Sequence, residues 1–202
     1  GNKATTREVV SALAEMPLSF EPGENYQYSL CHDILAAVIE VVSGKKFSEY
    51  LDEVIFSPLG IKDITFVPTD DVMKRMKQQY VVDLRYFTAV PKTPECVYRL
   101  TDNYESGGAG MIASLNDYIK FADALACGES ETGYRILKPE TVELMKTNQL
   151  GEAGLKSLCF NCDRFLGYGY GLGVRTMMKP DLNLSLGPVG EFGWDGAAGA
   201  YC

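Results

Sequence analysis

The sequence has one histidine and one tryptophan among 202 residues. A histidine-based catalytic triad therefore has one candidate, His32, and its neighbour is Asp33. Adjacent residues on a helix point about 100° apart, so this pair cannot align as base and orienter. His32 reads as a helix-surface or satisfied residue. The shortage of histidine also leaves the lone Cys159-Phe160-Asn161-Cys162 short of the four ligands of a zinc site. No metal and no cofactor are expected. Positive charge is in deficit, with a formal net charge of -8. That balance argues against a phosphate-backbone partner, so no nucleic acid is expected. No apolar run approaches the ~20 residues of a membrane span. Internal repeats and low-complexity tracts are lacking. The six cysteines read as free thiols of a reducing compartment rather than as three disulfides. Glu49 and Glu53, paired carboxylates at helical spacing, read as a solvated face.

The remaining composition is that of a globular chain, 46% apolar and 23% charged. A chain of this length can bury roughly 70% of its unfolded surface without staples. Thr5-Thr6-Arg7-Glu8 resembles a capping box, followed at helical spacing by Val9, Val10, Leu13 and Met16. Pro17 stops that helix. Ser29 is a plausible N-cap for a helix through Val42, with Ile34, Leu35, Val38, Ile39 and Val42 on its inward face and Gly44 as its stop. A third helix is predicted over Phe47 to Phe56, and a strand over Ile64 to Val67. Residues 78 to 100 read as extended pieces. Glu105 to Gly110 is a glycine-rich turn. Ser114 caps a helix to Ala126 with Tyr118, Phe121, Ala122 and Leu125 inward, and Pro139 opens another to Lys146. Tyr168 to Met178 reads as one strand, Leu182 to Leu186 as its partner, and Ala197 to Cys202 as a further strand.

Two stretches carry chemistry. Pro22 to Leu30 places Tyr28 at a helix start. Gly193 to Gly199 places a tight glycine turn at a strand start. That pairing suits a serine acyl-transfer enzyme that works without histidine. Such enzymes use Ser-x-x-Lys, with the serine at a helix N-terminus, where backbone amides and the dipole assist it. Ser43-Gly44-Lys45-Lys46 has the spacing but stands at a helix end, so it is rejected as the nucleophile motif.

Five blocks in order, FEPGENYQYSLCHDILAAVIEVVSG, SPLGIKDITF, ESGGAGMIASLNDYIKFADAL, RILKPETVELM and GYGYGLGV…GEFGWDGAAGAYC, resemble the serine β-lactamase and penicillin-binding-protein-like superfamily. The resemblance is to its class C β-lactamase and family VIII carboxylesterase branch. It implies an α+β fold in which residues 1–165 form a mostly helical domain. Residues 166–202 would then contribute a few antiparallel strands of a truncated α/β domain. It further implies that the chain is an internal fragment, with the catalytic Ser-x-x-Lys before residue 1.

The family's Tyr-x-Asn motif is matched by Tyr28-Ser29-Leu30, with Leu30 in place of asparagine. Its Lys-Thr-Gly place is taken by Trp194-Asp195-Gly196, similar to the Trp-Gly-Gly of esterase-like members. By the resemblance, Tyr28 takes the serine proton and returns it to the leaving group. Trp194 lines the acyl pocket, and Asp195 repels a substrate carboxylate. Gly196 permits close approach of substrate, and the backbone N–H of Ala197 donates to an oxyanion hole. Tyr28 and Trp194 are expected to approach one another across a groove, on the walls of one pocket. The implied function is a serine hydrolase acting through an acyl-enzyme on a small-molecule ester, a β-lactam or a D-amino-acid peptide. Esters rank first because of Leu30 and Trp194, and the 202 residues by themselves are expected to be inactive. The alternative is a non-catalytic domain that binds a peptide or partner on the same scaffold. Cut sheet edges and exposed Leu172, Val174, Met177 and Leu184 would favour self-association.

Overall fold

In this computed structural model the described residues are 3–92, 101–161, 163–183, 185–196 and 201–202. They form an α+β fold in which helices predominate over short antiparallel strands. Two compact units are each assembled from two stretches of chain: Gly1–Leu13 with Cys31–Tyr118, and Ala14–Leu30 with Ile119–Cys202.

In the first unit, α1 (Thr6–Leu13) starts at the expected capping box. The Glu8 amide donates to Thr5 Oγ1 at 3.3 Å, and the Thr5 amide donates to Glu8 Oε2 at 2.7 Å. Those bonds hold the Glu8 carboxyl below the usual carboxylate range. Met16 lies beyond the helix and is exposed.

The next helix, α2 (Cys31–Ser43), turns the opposite way from the apolar pattern. Its buried residues are Asp33, Ala36, Ala37 and Glu40, while Ile34, Leu35, Val38 and Val42 are exposed. Of the five residues expected inside, Ile39 is the one that packs against the core. The reason is that both inward carboxylates are satisfied. The Tyr104 hydroxyl donates to Asp33, and Glu40 accepts from Arg7 Nε at 3.3 Å and from the Phe47 amide at 3.1 Å. Small alanines fill the remaining inward positions. His32 is half-buried, and Asp33 is engaged by Tyr104.

Helix α3 (Phe47–Leu51) continues as a π-helical turn through Asp52–Phe56, so one helical run fills the predicted span. Its first amides point at two buried carboxylates, Glu40 and Glu105, the latter accepting from the Ser48 amide at 2.8 Å. Phe47, Leu51 and Phe66 pack with Ala36 as the core of this unit. Strand β1 (Ile64–Thr65) is shorter than predicted. Thr69 caps the unpredicted helix α4 (Asp70–Arg75). Strands β2 (Gln79–Asp83) and β3 (Thr88–Lys92) form a hairpin, and β4 (Ile112–Ala113) pairs with β1. Ser106 Oγ accepts from the Ala109 amide at 3.1 Å and closes the glycine-rich turn.

Helix α5 (Leu115–Cys127) is capped by Ser114, as predicted, but Tyr118 is exposed and Ala124 is its buried apolar residue. In the second unit follow α6 (Pro139–Met145) and α7 (Glu152–Asn161), then β5 (Tyr168–Tyr170), β6 (Arg175–Met177) and β7 (Phe192–Gly193). The single strand predicted over Tyr168 to Met178 is two strands. Gly173, at φ 83°, folds the chain back so that Tyr168 faces Met177 and Tyr170 faces Arg175. The predicted partner, Leu182 to Leu186, is not the neighbour of this sheet. Pro180–Leu182 forms a 3₁₀ turn instead, and the second partner of β6 is β7. Met177 is therefore core, at 1% exposure, and not the exposed edge residue expected. Leu172 is exposed, Val174 is half-buried, and Leu184 lies outside the described residues. The core joins Leu158, Phe165, Tyr168 and Met177. Cys31, Cys127, Cys159 and Cys202 are free thiols, and Cys96 and Cys162 lie outside the described residues. No described helix is long and apolar enough to cross a membrane.

Candidate active site

The candidate site lies within the second unit and is built from four short pieces of chain. The segment before Tyr28 is extended and pinned to α7. Asn25 Oδ1 accepts from the Tyr26 amide at 2.9 Å and from Ser157 Oγ at 2.5 Å. Strand β5 is fixed by Asn148, whose Oδ1 accepts from the Tyr170 amide at 3.0 Å, and by the Gln149 amide donating to the Tyr170 carbonyl at 2.8 Å. A 3₁₀ turn after α7, Asp163–Phe165, presents Phe165. Strand β7 presents Trp194 at its end.

These pieces converge on Trp194. Tyr28 stacks on the indole with ring centroids 5.5 Å apart and planes at 22°, and Phe165 stacks on it at 5.5 Å and 19°. Tyr170 meets it edge-on at 5.4 Å and 86°, and Tyr26 packs on Tyr170 at 5.1 Å. Pairs of this kind contribute about 0.5–1.5 kcal/mol each beyond the area they bury. Tyr28 remains 61% exposed while stacked.

The backbone at Trp194 is fixed on both sides. Its N–H donates to the Cys202 carbonyl at 3.0 Å, and the Cys202 N–H returns a bond to the Trp194 carbonyl at 3.1 Å. Gly193 permits this approach, because a Cβ there would lie 1.9 Å from the Cys202 carbonyl oxygen. Close approach of backbone is thus required at Gly193. Gly196 follows Asp195 in the same turn, and Ala197 lies outside the described residues.

Asp195 does not stand as a free acid. Its Oδ1 accepts from Arg175 Nη1 at 2.8 Å, and Arg164 Nε lies 3.5 Å from Oδ2. The Arg175 side chain is 3% exposed and also reaches Glu191 at 3.1 Å. Its guanidinium lies over Tyr168 at 5.2 Å and over Tyr201 at 4.9 Å. Burial works against the Arg175 charge. The Tyr168 hydrogen bond and the charges of Asp195, Tyr201 and Glu191 outweigh it and hold the pKa above the ordinary value. The local charge on the Trp194 turn is balanced rather than acidic.

Leu30, the departure in the second motif, is exposed immediately before α2. Ser43 is the last residue of α2, and its Oγ accepts from the Lys45 amide at 3.2 Å, while Lys46 pairs with Glu105 at 2.6 Å. A groove of about 500 Å³ is lined by Phe20, Asn25, Tyr26, Gln27, Lys156 and Phe160 among others. It shares Asn25 and Tyr26 with the segment that carries Tyr28 but includes neither Tyr28 nor Trp194. Sequence reasoning brought forward Tyr28 and Trp194 but missed Phe165, Tyr170, Asn148 and Arg175. The signal at Arg175 was available, as a lone charge within an otherwise glycine-rich and apolar strand.

The Beta-lactamase family matches residues 1–202, and the chain belongs to that family of β-lactamase-fold hydrolases. It is 27% identical over 201 residues to Protein Rv1367c of Mycobacterium tuberculosis (strain ATCC 25618 / H37Rv), covering 95% of this chain and 48% of that protein. It is 35% identical over 132 residues to Esterase EstB of Burkholderia gladioli, covering 58% of this chain and 33% of the esterase. Among solved structures it resembles EstCE1, a hydrolase with promiscuous acyltransferase activity. The TM-score there is 0.75 at 24% identity, covering 96% of this chain and 51% of the other. That likeness identifies the fold. The chain spans about half the length of the first of these relatives.

Proposed function

We propose that these residues are part of a serine hydrolase that cleaves esters through an acyl-enzyme, with Tyr28 as its proton acceptor. The observation that supports this reading is the stack of Tyr28 on Trp194, the two residues that the resemblance assigns to the second and third motifs. The serine and its lysine lie outside the 202 residues, in keeping with a chain about half the length of its first relatives. The serine oxygen attacks the ester carbonyl, and its proton passes by way of Tyr28 to the departing alcohol oxygen. Water then releases the acid and regenerates the serine. The Ala197 N–H stabilises the oxyanion, and Trp194 bounds the acyl group. Leu30 in place of an amide donor, and Trp194 in place of a cation, favour esters over β-lactams and D-amino-acid peptides.

The test uses the full-length protein beside the 202-residue chain. A fluorophosphonate probe should label the full-length protein on one serine and leave the chain unlabelled. A chromogenic ester should be turned over in preference to a chromogenic cephalosporin. Stoichiometric labelling of a serine within the chain, Ser43 included, or a preference for the cephalosporin, would overturn the reading.

A further inference from the structure

We infer that Arg175 is a positioning residue for the turn Trp194-Asp195-Gly196. It locks the indole between Tyr28 and Phe165 and cancels the charge of Asp195, so that the wall of the site is electrically neutral. The inference rests on the reading of that turn as a wall of the active site. Arg175 sits on the middle strand of its sheet, with β5 on one side and β7 on the other. Its backbone pairs with Tyr170 and Gly193, and its side chain spans from Glu191 to Asp195, on either side of β7. One side chain thereby ties together both ends of the strand that delivers Trp194.

A buried arginine is stable only with its charge met and its donors used, and two carboxylates and two tyrosine rings do this here. The planar fork matters, because one guanidinium reaches two acids with separate nitrogens. The converse holds for Asp195. With Arg175 at 2.8 Å and Arg164 at 3.5 Å, it presents no net repulsion to an anionic substrate. The aspartate in this motif is a structural anchor, and selection against carboxylate-bearing substrates does not come from it.

Trp194 is the single tryptophan, so its emission reports this turn directly. The experiment records emission, and quenching by iodide and by caesium, in the intact chain and in Arg175→Met, Arg175→Lys and Asp195→Asn. Arg175→Met should move the emission to longer wavelength. It should also shift the ratio of caesium to iodide quenching upward by about two- to threefold, as expected for one unit charge a few ångströms away in screened water. Asp195→Asn should shift that ratio the opposite way. Arg175→Lys should restore the charge balance but not the emission maximum, because a single ammonium cannot bridge both acids. Leu51→Ala, in the core of the other unit, should lower stability and leave both readouts in place. An unchanged emission maximum in folded Arg175→Lys, or an unchanged quenching ratio in folded Asp195→Asn, would overturn the inference. These readouts need no turnover, so failure of the proposed ester hydrolysis would be seen separately.

Discussion

The ring of Tyr28 lies flat against the indole of Trp194, centroids 5.5 Å apart and planes at 22°. Two residues distant in the chain thus share one surface, and the tyrosine has separable duties. Its ring completes the stack, and its hydroxyl carries the proposed proton transfer. Tyr28→Phe should keep the stack, leaving unfolding within about 0.5 kcal/mol of the parent. In the full-length protein, acting as the proposed hydrolase, it should lower kcat by about 10²–10⁴. Tyr28→Ala should do both, opening one face of Trp194 to acrylamide. Equal turnover by Tyr28→Phe and the parent would remove Tyr28 from the chemistry.

Phe165 also stacks on Trp194 and is buried with Leu158, Tyr168 and Met177. Phe165→Ala leaves a cavity beneath the indole. It should cost about 3–5 kcal/mol by chemical denaturation. A loss below about 1 kcal/mol would show that the stack is not held from beneath.

How much of this could be read beforehand differs from residue to residue. The capping box at Thr5, the Ser114 cap and the helix starting at Pro139 were legible because each depends on local hydrogen bonding, although the Asp117 carboxylate turns to the Lys62 and Asp63 amides in place of closing a box with Ser114. That Tyr28 and Trp194 approach one another was legible through family resemblance, since no local pattern links such distant positions, but their direct stacking in place of a groove between them was not. Helix α2 was misread because its apolar stripe was assumed to face inward. Whether Asp33 and Glu40 can be buried depends on Tyr104, Arg7 and the Phe47 amide, none of which periodicity reveals. The break between β5 and β6 was missed for a related reason. A glycine-rich strand and a glycine turn look alike until the positive φ of Gly173 is known. Asp195 read as repelling a substrate carboxylate because Arg175, its partner, is distant in sequence.

Tyr104 is buried and donates its hydroxyl to Asp33. Burial first, then the hydrogen bond and charge of Asp33, push the phenol up to about 12 from its ordinary value of 10.0. The raised value means that the stabilising contribution is fully present below the ordinary tyrosine value. It is lost as pH climbs through about 12. Unfolding followed by circular dichroism should steepen over that alkaline window. Tyr104→Phe should remove the alkaline step and leave a buried carboxylate short of a donor, costing about 1–3 kcal/mol. At this chain length that corresponds to a fall in Tm of about 2–12 °C. An alkaline transition that persists unchanged in Tyr104→Phe would assign it to other groups.

The outward side of α2 leaves Leu35, Val38, Val41 and Val42 in water, with Val42 82% exposed. Contiguous apolar surface of this kind favours association, and the net charge of -8 opposes it. The 202-residue chain is therefore expected to self-associate through this helix face. Sedimentation over about a tenfold concentration range should show the average mass rising with concentration. Replacing Val38→Glu together with Val42→Lys puts an i,i+4 ion pair in its favoured orientation on the exposed face, a change worth a few tenths of a kcal/mol to the helix. The double variant should sediment as a monomer with the Tm of a folded chain. If it still associates as strongly as the parent, the contact lies elsewhere, and the unpaired edges of the strands become the next surface to alter.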